Sequence, residues 1–514
     1  MRELVFIPGL AAALLLLGSC GDDFLSVTNP SAQPLEEYYN TDEHLGDALV
    51  GCYSVLTWTD VCEGQDSPLM LMSDIMADQM WVGGSDVSDN AFWHLMANYE
   101  ATPTNCLESL YTDAYFGIRR CNLLLTYIGW AEDLKPERAR WYEQQARLLR
   151  CYFYSWLWKF WGNIVYYTEN LESPYIGIQY TADEVYGYIM EDLDGVLAMD
   201  ALPMQYTGAD LGRVTRAMAC MLYAELAMYQ NDAARLPTAL GYMKEIIDSG
   251  LYSLNPDFAS IWPYAGEWGC ESIFEIDYKG IGQIRNYGFR DAERNAGGSF
   301  FSHMISPCDY NADGYDGGFG FGPLRSSTYE MFSPQDSRRD ATCMHATADY
   351  TRLYQDTGYF LEKYIARGEE HGTTGSSDCG YGRNFRIYRY AETLLNAAEL
   401  VVAGYGAQSN CTLSDASRWL NEVHHRAGLA DELEPTLENI KQERRLEFVG
   451  EGKRYWDLVR WGDAETVLVP CTDPLFTTSF SKGRHGSWTP SKKYLPFPQS
   501  EIDASQNTMK QNPY

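Results

Sequence analysis

At 514 residues the chain can bury a large core, and length alone allows two to four domains. Its 71 acidic against 39 basic residues leave a formal charge of −32, which excludes the basic footprint that nucleic acid or another polyanion requires. A neutral ligand, a cationic partner or plain solubility suits that charge, and aromatic residues are heavily used, with 38 Tyr and 14 Trp.

Arg2 precedes an apolar run from Leu4 to Leu17, too short to cross a bilayer as a helix and suited to the core of a signal peptide. Gly18-Ser19-Cys20 follows, and small residues directly before a cysteine resemble the lipobox of bacterial lipoproteins. Residues 1–19 are therefore expected to be a cleaved signal, with Cys20 as the lipidated terminus. No later stretch is long and apolar enough to span a membrane, so the expectation is an anchored chain. Residues 20–40, polar with Pro30 and Pro34, read as a tether, and residues 41–514 as one body. Twelve further cysteines contain no Cys-x-x-Cys pair, so a zinc ribbon or thioredoxin-type site is not suggested. Export permits disulfides, but Cys121, Cys151 and Cys220 fall on apolar helical faces, where buried thiols fit at least as well.

A first helix is expected from Asp42 to about Leu56. Residues 64–104, with Trp81, Gly83-Gly84, several Asp and Trp93, read as loop carrying unusually large aromatics. Apolar stripes then recur at helical spacing. One runs from Leu110 to Ile128, and the next, after Lys135-Pro136, from Tyr142 to Phe160. The stretch Cys151–Trp161 is apolar nearly all round and should be deeply buried. Thr181 with Glu184 forms the sequence of a capping box. Further stripes run through Ala217–Met228 and Ala239–Ile246, the second closed by Gly250. A later pair uses Ile387, Tyr390, Leu394, Ala397 and Val401, then Ala416, Leu420, Val423 and Ala427. Helical pairs about residues 105–250 and 385–465 predict a mainly α, tetratricopeptide-like superhelix. About residues 60–104 and 252–380 the character changes to a long irregular insertion with minor β-structure around Glu271–Tyr278. So many glycines there fit regular elements poorly, and long irregular insertions are more often functional than not.

Near the end, Glu443–Gly462 places Phe448, Tyr455 and Val459 on one helical face. Glu447, Lys453, Arg454, Asp457 and Arg460 gather on the other. Lys453 with Asp457 and Asp457 with Arg460 are spaced to pair as exposed ions worth a few tenths of a kcal/mol each. Gly450 and Gly452 predict a break, and Arg445, in the apolar arc, needs a carboxylate partner. The stretch reads as a docked amphipathic element before it reads as a catalytic one.

Several stretches occur together in a recognisable order: Cys20-Gly-Asp-Asp-Phe-Leu25, Gly212-Arg-Val-Thr-Arg216, Arg389–Glu399, Glu443–Gly462, Leu495-Pro-Phe-Pro-Gln-Ser-Glu-Ile502 and Gln511-Asn-Pro-Tyr514. With these the chain resembles the SusD/RagB family of outer-membrane nutrient-binding lipoproteins over essentially the whole mature length. The resemblance implies a helical body facing a SusC-like TonB-dependent transporter and an irregular half that captures oligosaccharide or another nutrient. It implies a lid on the transporter at the cell surface, with no catalysis and no cofactor.

Sugar rings present flat C–H faces edged by hydroxyls, so a glycan site needs open aromatic platforms with polar side chains nearby. The loop aromatics Trp81, Trp93, Trp268, Tyr287, Tyr315 and Phe319 are the candidates, at least two of them stacking on ligand. Asp86, Asn90 and Arg290 are candidates for bonding hydroxyls. Each single Trp or Tyr is weighed against plain core packing. Asn311-Ala-Asp313-Gly-Tyr-Asp316 imitates a calcium loop but has Gly322 where an EF-hand needs its bidentate Glu, so no metal is expected. No His-Glu-x-x-His, Gly-x-Ser-x-Gly or P-loop occurs. A glycoside hydrolase using two carboxylates, a pure assembly scaffold, and a peptide or glycoprotein ligand are the alternatives.

Overall fold

The computed structural model describes residues 33–59, 61, 62, 65–279, 298–312, 314–372 and 377–514. Cys20, Tyr287, Arg290 and Asp313 lie outside the described residues. The protein is mainly helical, with three small antiparallel two-stranded sheets among the described residues. None of its helices is long and apolar enough to cross a membrane, among the described residues.

The helical body begins with α1 (Asp42–Ser54), whose Thr41 side chain caps the first turn. Then come α2 (Ser109–Ile128) and α3 (Pro136–Trp161), the latter opened by a proline whose missing N–H costs nothing at that position. The capping box of Thr181 and Glu184 is present at the start of α4 (Ala182–Ala198). After it follow α5 (Arg216–Gln230) and α6 (Leu236–Ser249), the last ended by Gly250 in the left-handed conformation. Helices α7 (Tyr390–Val402), α8 (Leu413–Arg426), α9 (Leu437–Glu447) and α10 (Arg454–Arg460) complete the set. Each of α1 to α8 packs on the next in turn, which is the stacking of a helical-repeat array. From Leu148 to Trp158 every residue of α3 is buried. The C-terminal stretch locks onto that helix. Leu495 N donates to Phe160 O at 2.7 Å, and Asn512 Nδ2 donates to Trp161 O at 2.7 Å.

Helix α6 packs on α7 although the insertion separates them in sequence. The insertion must therefore leave and return at one point. Its neck is closed by pairing Ser272–Ile276 (β1) with Phe385–Arg389 (β2), antiparallel with Ser272 opposite Arg389 and Ile276 opposite Phe385. Ile387, expected on a helical stripe, thus belongs to a strand, and the helix starts at Tyr390. Alternation in a five-residue strand entering a helix is too short a signal to separate from helical periodicity.

Below that neck lies a buried network of charge. Arg389 pairs with Glu451 at 2.8 Å, with Glu447 at 3.0 Å and with Glu271. Arg426 bridges Glu271 at 2.9 Å and Glu447. Arg338 reaches Asp336 at 2.8 Å, Glu443 at 2.5 Å and Glu447 at 3.1 Å. Lys363 meets Glu451 at 2.7 Å. All these side chains are at most 3% exposed. The network ties α7, α8 and α9 to the insertion, because Glu271, Asp336, Arg338 and Lys363 belong to the latter.

The stretch Glu443–Gly462 breaks as its glycines predict. Gly450 and Gly452 take φ of 75° and 70° between α9 and α10. A Cβ on Gly450 would stand 2.4 Å from the Leu361 side chain, so the turn is specific to glycine in both conformation and space. Arg445 finds Asp78, 3.5 Å away. The charged face, however, is not exposed. Glu447 is fully buried, Lys453 pairs with Glu392 at 2.9 Å instead of with Asp457, and Asp457 is held between Arg444 and Arg460 at 2.9 and 2.8 Å. One helix wheel drawn through a break misassigns the faces on either side of it.

Candidate functional site

The outer part of the insertion is cross-braced by one short sheet, Cys343–His345 with Tyr359–Leu361, and by single antiparallel bridges. Met80 pairs with Leu324, Gly83 with Phe321, Tyr315 with Arg367, and Tyr381 with both Ser299 and His371. These bridges hold residues 298–324 between the 79–84 loop and residues 359–382, and they position an aromatic cluster.

Phe319 is 40% exposed. Its N–H donates to His303 O at 3.0 Å, and its ring rests edge-on against Phe300 at 5.6 Å and His303 at 4.6 Å. Behind them Tyr381 is buried, stacked on His371 at 4.8 Å and 14° and near-parallel to His303 at 6.2 Å. The Tyr381 hydroxyl donates to Asp316 Oδ2 at 3.0 Å. Burial pushes the His303 imidazole below its ordinary pKa, so it stays neutral at pH 7. Its Nδ1 and Nε2 of His371 are buried without a hydrogen bond among the described residues. Tyr315 stands beside this cluster. Its hydroxyl meets Glu362 at 3.1 and 3.2 Å, and the Arg367 guanidinium covers its ring at 4.5 Å.

The other sequence-chosen aromatics are placed differently. Trp93 is wholly buried, its Nε1 donating to Asp66 O at 3.1 Å and its ring meeting Phe321 at 4.8 Å. It sits on a short helix, Ala91–Ala97, which turns Phe92, Trp93 and Met96 inward where a loop was expected. Trp81 is 3% exposed, with Nε1 bonded to Asp473 at 3.1 Å and Arg325 stacked on its face at 4.1 Å. Neither ring has a free face for a ligand. Trp268 is half-buried and rests over Gly212, its N–H donating to Glu275 at 3.0 Å, away from the cluster's contacts. Asp86 is exposed and bonds Ser88, and Asn90 precedes the Ala91–Ala97 helix in the left-handed conformation. The structure therefore sets Phe319 on Phe300 and His303 with Tyr381 and His371 behind them, and links Tyr315 to this group through its neighbour Asp316, which accepts from Tyr381. No local pattern marks Phe300, His303, His371 and Tyr381, because bridges distant in sequence assemble them.

Carboxylates spaced for hydrolysis were the enzymatic alternative. Burial, opposed by Arg386, pushes Glu267 up to about 8. Yet Glu267 accepts from Asn384 N at 2.8 Å, and Glu275 accepts from Asn384 Nδ2 at 3.0 Å. Arg386 lies 3.6 and 3.7 Å from the two. Both acids are engaged in holding the insertion's neck.

Two family models match this chain, one described as the SusD family over residues 325–514 and one as starch-binding associating with outer membrane over residues 23–228. Among solved structures, surface glycan-binding protein A from Bacteroides thetaiotaomicron, in complex with laminarihexaose, is 47% identical with a TM-score of 0.85. The match covers 92% of this chain and 100% of that one. The chain belongs to the SusD family. Surface glycan-binding protein A from Bacteroides uniformis is 43% identical, with a TM-score of 0.82 and coverage of 92% and 100%. SusD-like protein P25 of Formosa agariphila is 22% identical, over 96% of this chain and 94% of its own length. The SusD-family sequence marks at Leu495–Ile502 and Gln511–Tyr514 are the segments that lock onto the buried end of α3, which gives them a structural reason.

Proposed function

We propose that this SusD-family protein binds an oligosaccharide at the cell surface through the Phe319 face and delivers it to a partner TonB-dependent outer-membrane transporter. The observation that carries the reading is Phe319 itself, a large ring left 40% exposed on a mount braced from behind by Phe300, His303 and Tyr381. An open aromatic face on rigid backing is what a sugar ring's C–H face stacks on. Tyr315 with Glu362 and Arg367 supplies hydroxyl-bonding groups beside it. The complex of the 47%-identical relative with laminarihexaose supports a laminarin-type glucan as the ligand class.

In this reading residues 1–19 are a signal peptide, Cys20 carries lipid, residues 20–40 are the tether and residues 41–514 the body. The protein acts as a noncatalytic lid, anchored in the outer membrane and facing outward. The test is calorimetric titration of the purified protein with laminarihexaose, with Phe319→Ala as the site variant. Binding that survives unchanged in the variant would refute the site. Absence of binding by the parent protein would refute the ligand class, and release of reducing ends from the oligosaccharide would turn the reading to an enzyme. Co-purification with a barrel transporter from outer membranes tests the partnership separately.

A further inference from the structure

A second concavity lies on the helical body and shares no residue with the Phe319 cluster. It is a groove of about 560 Å3 between α2, the loop around residues 165–177 and the C-terminal segment from Glu501 to Met509. That volume falls within the roughly 300–1,000 Å3 of small-ligand sites. Its walls are tyrosines. Tyr115 and Tyr167 lie parallel at 6.1 Å and 16°, the Tyr115 hydroxyl is fixed on Val165 O at 2.8 Å, and Tyr175 is 72% exposed at the rim. Three charged ends line the same space, Arg119, Glu172 and Glu501. Among the described residues none of the three side chains holds a hydrogen bond or an ion pair. For Glu501 this is notable, because its carboxyl is half-buried. Burial, with Glu108 nearby, pushes it above the ordinary range, as expected of an acid without a partner.

We propose that this groove is a second saccharide-binding site, taking a neutral sugar unit between the tyrosines and the unpartnered polar ends of Arg119, Glu172 and Glu501. A polyanion is disfavoured by two carboxylates against one guanidinium and by the chain's charge of −32. A purely apolar ligand would cover three charged groups without satisfying them, which is costly. A neutral sugar does both jobs. Its hydroxyls donate to the carboxylates and accept from the guanidinium, while its C–H faces cover the tyrosine rings. The ligand class rests on the glycan-binding reading above; the location does not.

Titration with laminarihexaose distinguishes the two. The parent protein is expected to show two binding events per chain. Tyr175→Ala and Glu501→Gln should each weaken one of them about 10-fold, as losing one stacking or charge-assisted contact of 1–1.5 kcal/mol does. Both should leave the event that Phe319→Ala weakens. Tyr175 is exposed enough that its variant keeps the fold, which circular dichroism checks. A single event weakened by Phe319→Ala and untouched by the groove variants overturns the second site and leaves the first standing. Groove variants that retain both events while losing capture of the transporter overturn it as well, assigning the groove to that protein. No binding by the parent chain overturns both sites.

Discussion

The charges around Glu447 and the polar groups around Phe319 belong to the same insertion and its seam, yet they do opposite things. Around Glu447 the guanidinium and carboxylate groups are buried and paired with one another, although Arg426 Nε has no hydrogen bond among the described residues. Around Phe319 a ring stands in solvent and two imidazole nitrogens have no partner among the described residues. Saturated polar networks specify a fold, and a fold has nothing left to offer a ligand from them. Incomplete ones cost stability and are kept where something else is to bind. The charged helix that looks like chemistry in the sequence pairs its charges within its own chain.

Substitutions should separate the two regions by what they damage. Glu447→Ala leaves Arg389, Arg426 and Arg338 each short of a buried carboxylate, and is expected to lose about 3–5 kcal/mol. Urea unfolding reads this as a lowered midpoint, with laminarihexaose affinity of the folded protein retained. An unfolding free energy within ~0.5 kcal/mol of the parent's would mean the network carries no structural weight. Trp93→Ala should behave in the same way, losing roughly 3–5 kcal/mol for a fully buried indole and leaving affinity alone. If it instead abolished binding in a protein of parental stability, Trp93 would return to the site.

Acid should weaken the ion pairs that hold the fold. Burial raises the Asp78 carboxyl, but the Arg454 hydrogen bond and the charges of Arg454, Arg445 and Arg325 outweigh it and hold the group down at about 2. Lys159 and Lys453 likewise overcome burial at Glu225 and hold it at about 2. A depressed carboxylate contributes stability that is present above its unfolded pKa, near 4, and lost as pH falls toward the folded value. The difference in stability between the parent and Asp78→Asn should therefore be largest at neutral pH and close between about pH 4 and pH 2. A difference that persists unchanged at pH 2 would assign Asp78 a role other than its charge. The smallest effect concerns the second region. Phe319→Ala should weaken laminarihexaose binding about 10-fold while shifting stability by no more than ~1 kcal/mol.

The capping box at Thr181 and Glu184, the stop at Gly250, the break at Gly450 and Gly452, and a carboxylate for Arg445 were all legible along the chain. Each depends on residues within a few positions of one another, or on a charge that could not be buried alone. The helical stripes were legible for the same reason, since helical periodicity is a local property. The site proposed around Phe319 overlaps the residues chosen from the sequence only in part. Phe319 and Tyr315 were among the residues chosen, but so were Trp81 and Trp93. Loop composition carries no information about which way a ring turns.

What the sequence by itself determined is the membership of the chain in its family and its mainly helical architecture, because stripe, cap and break are written in neighbouring residues. The tertiary structure decided which charges are interior and which rings meet solvent. Lys453 reaches Glu392 across two helices, and Phe319 is mounted on Phe300 and His303 from a preceding turn of the insertion. Exposure is a property of what packs against a side chain, and for this protein those partners lie far away in sequence.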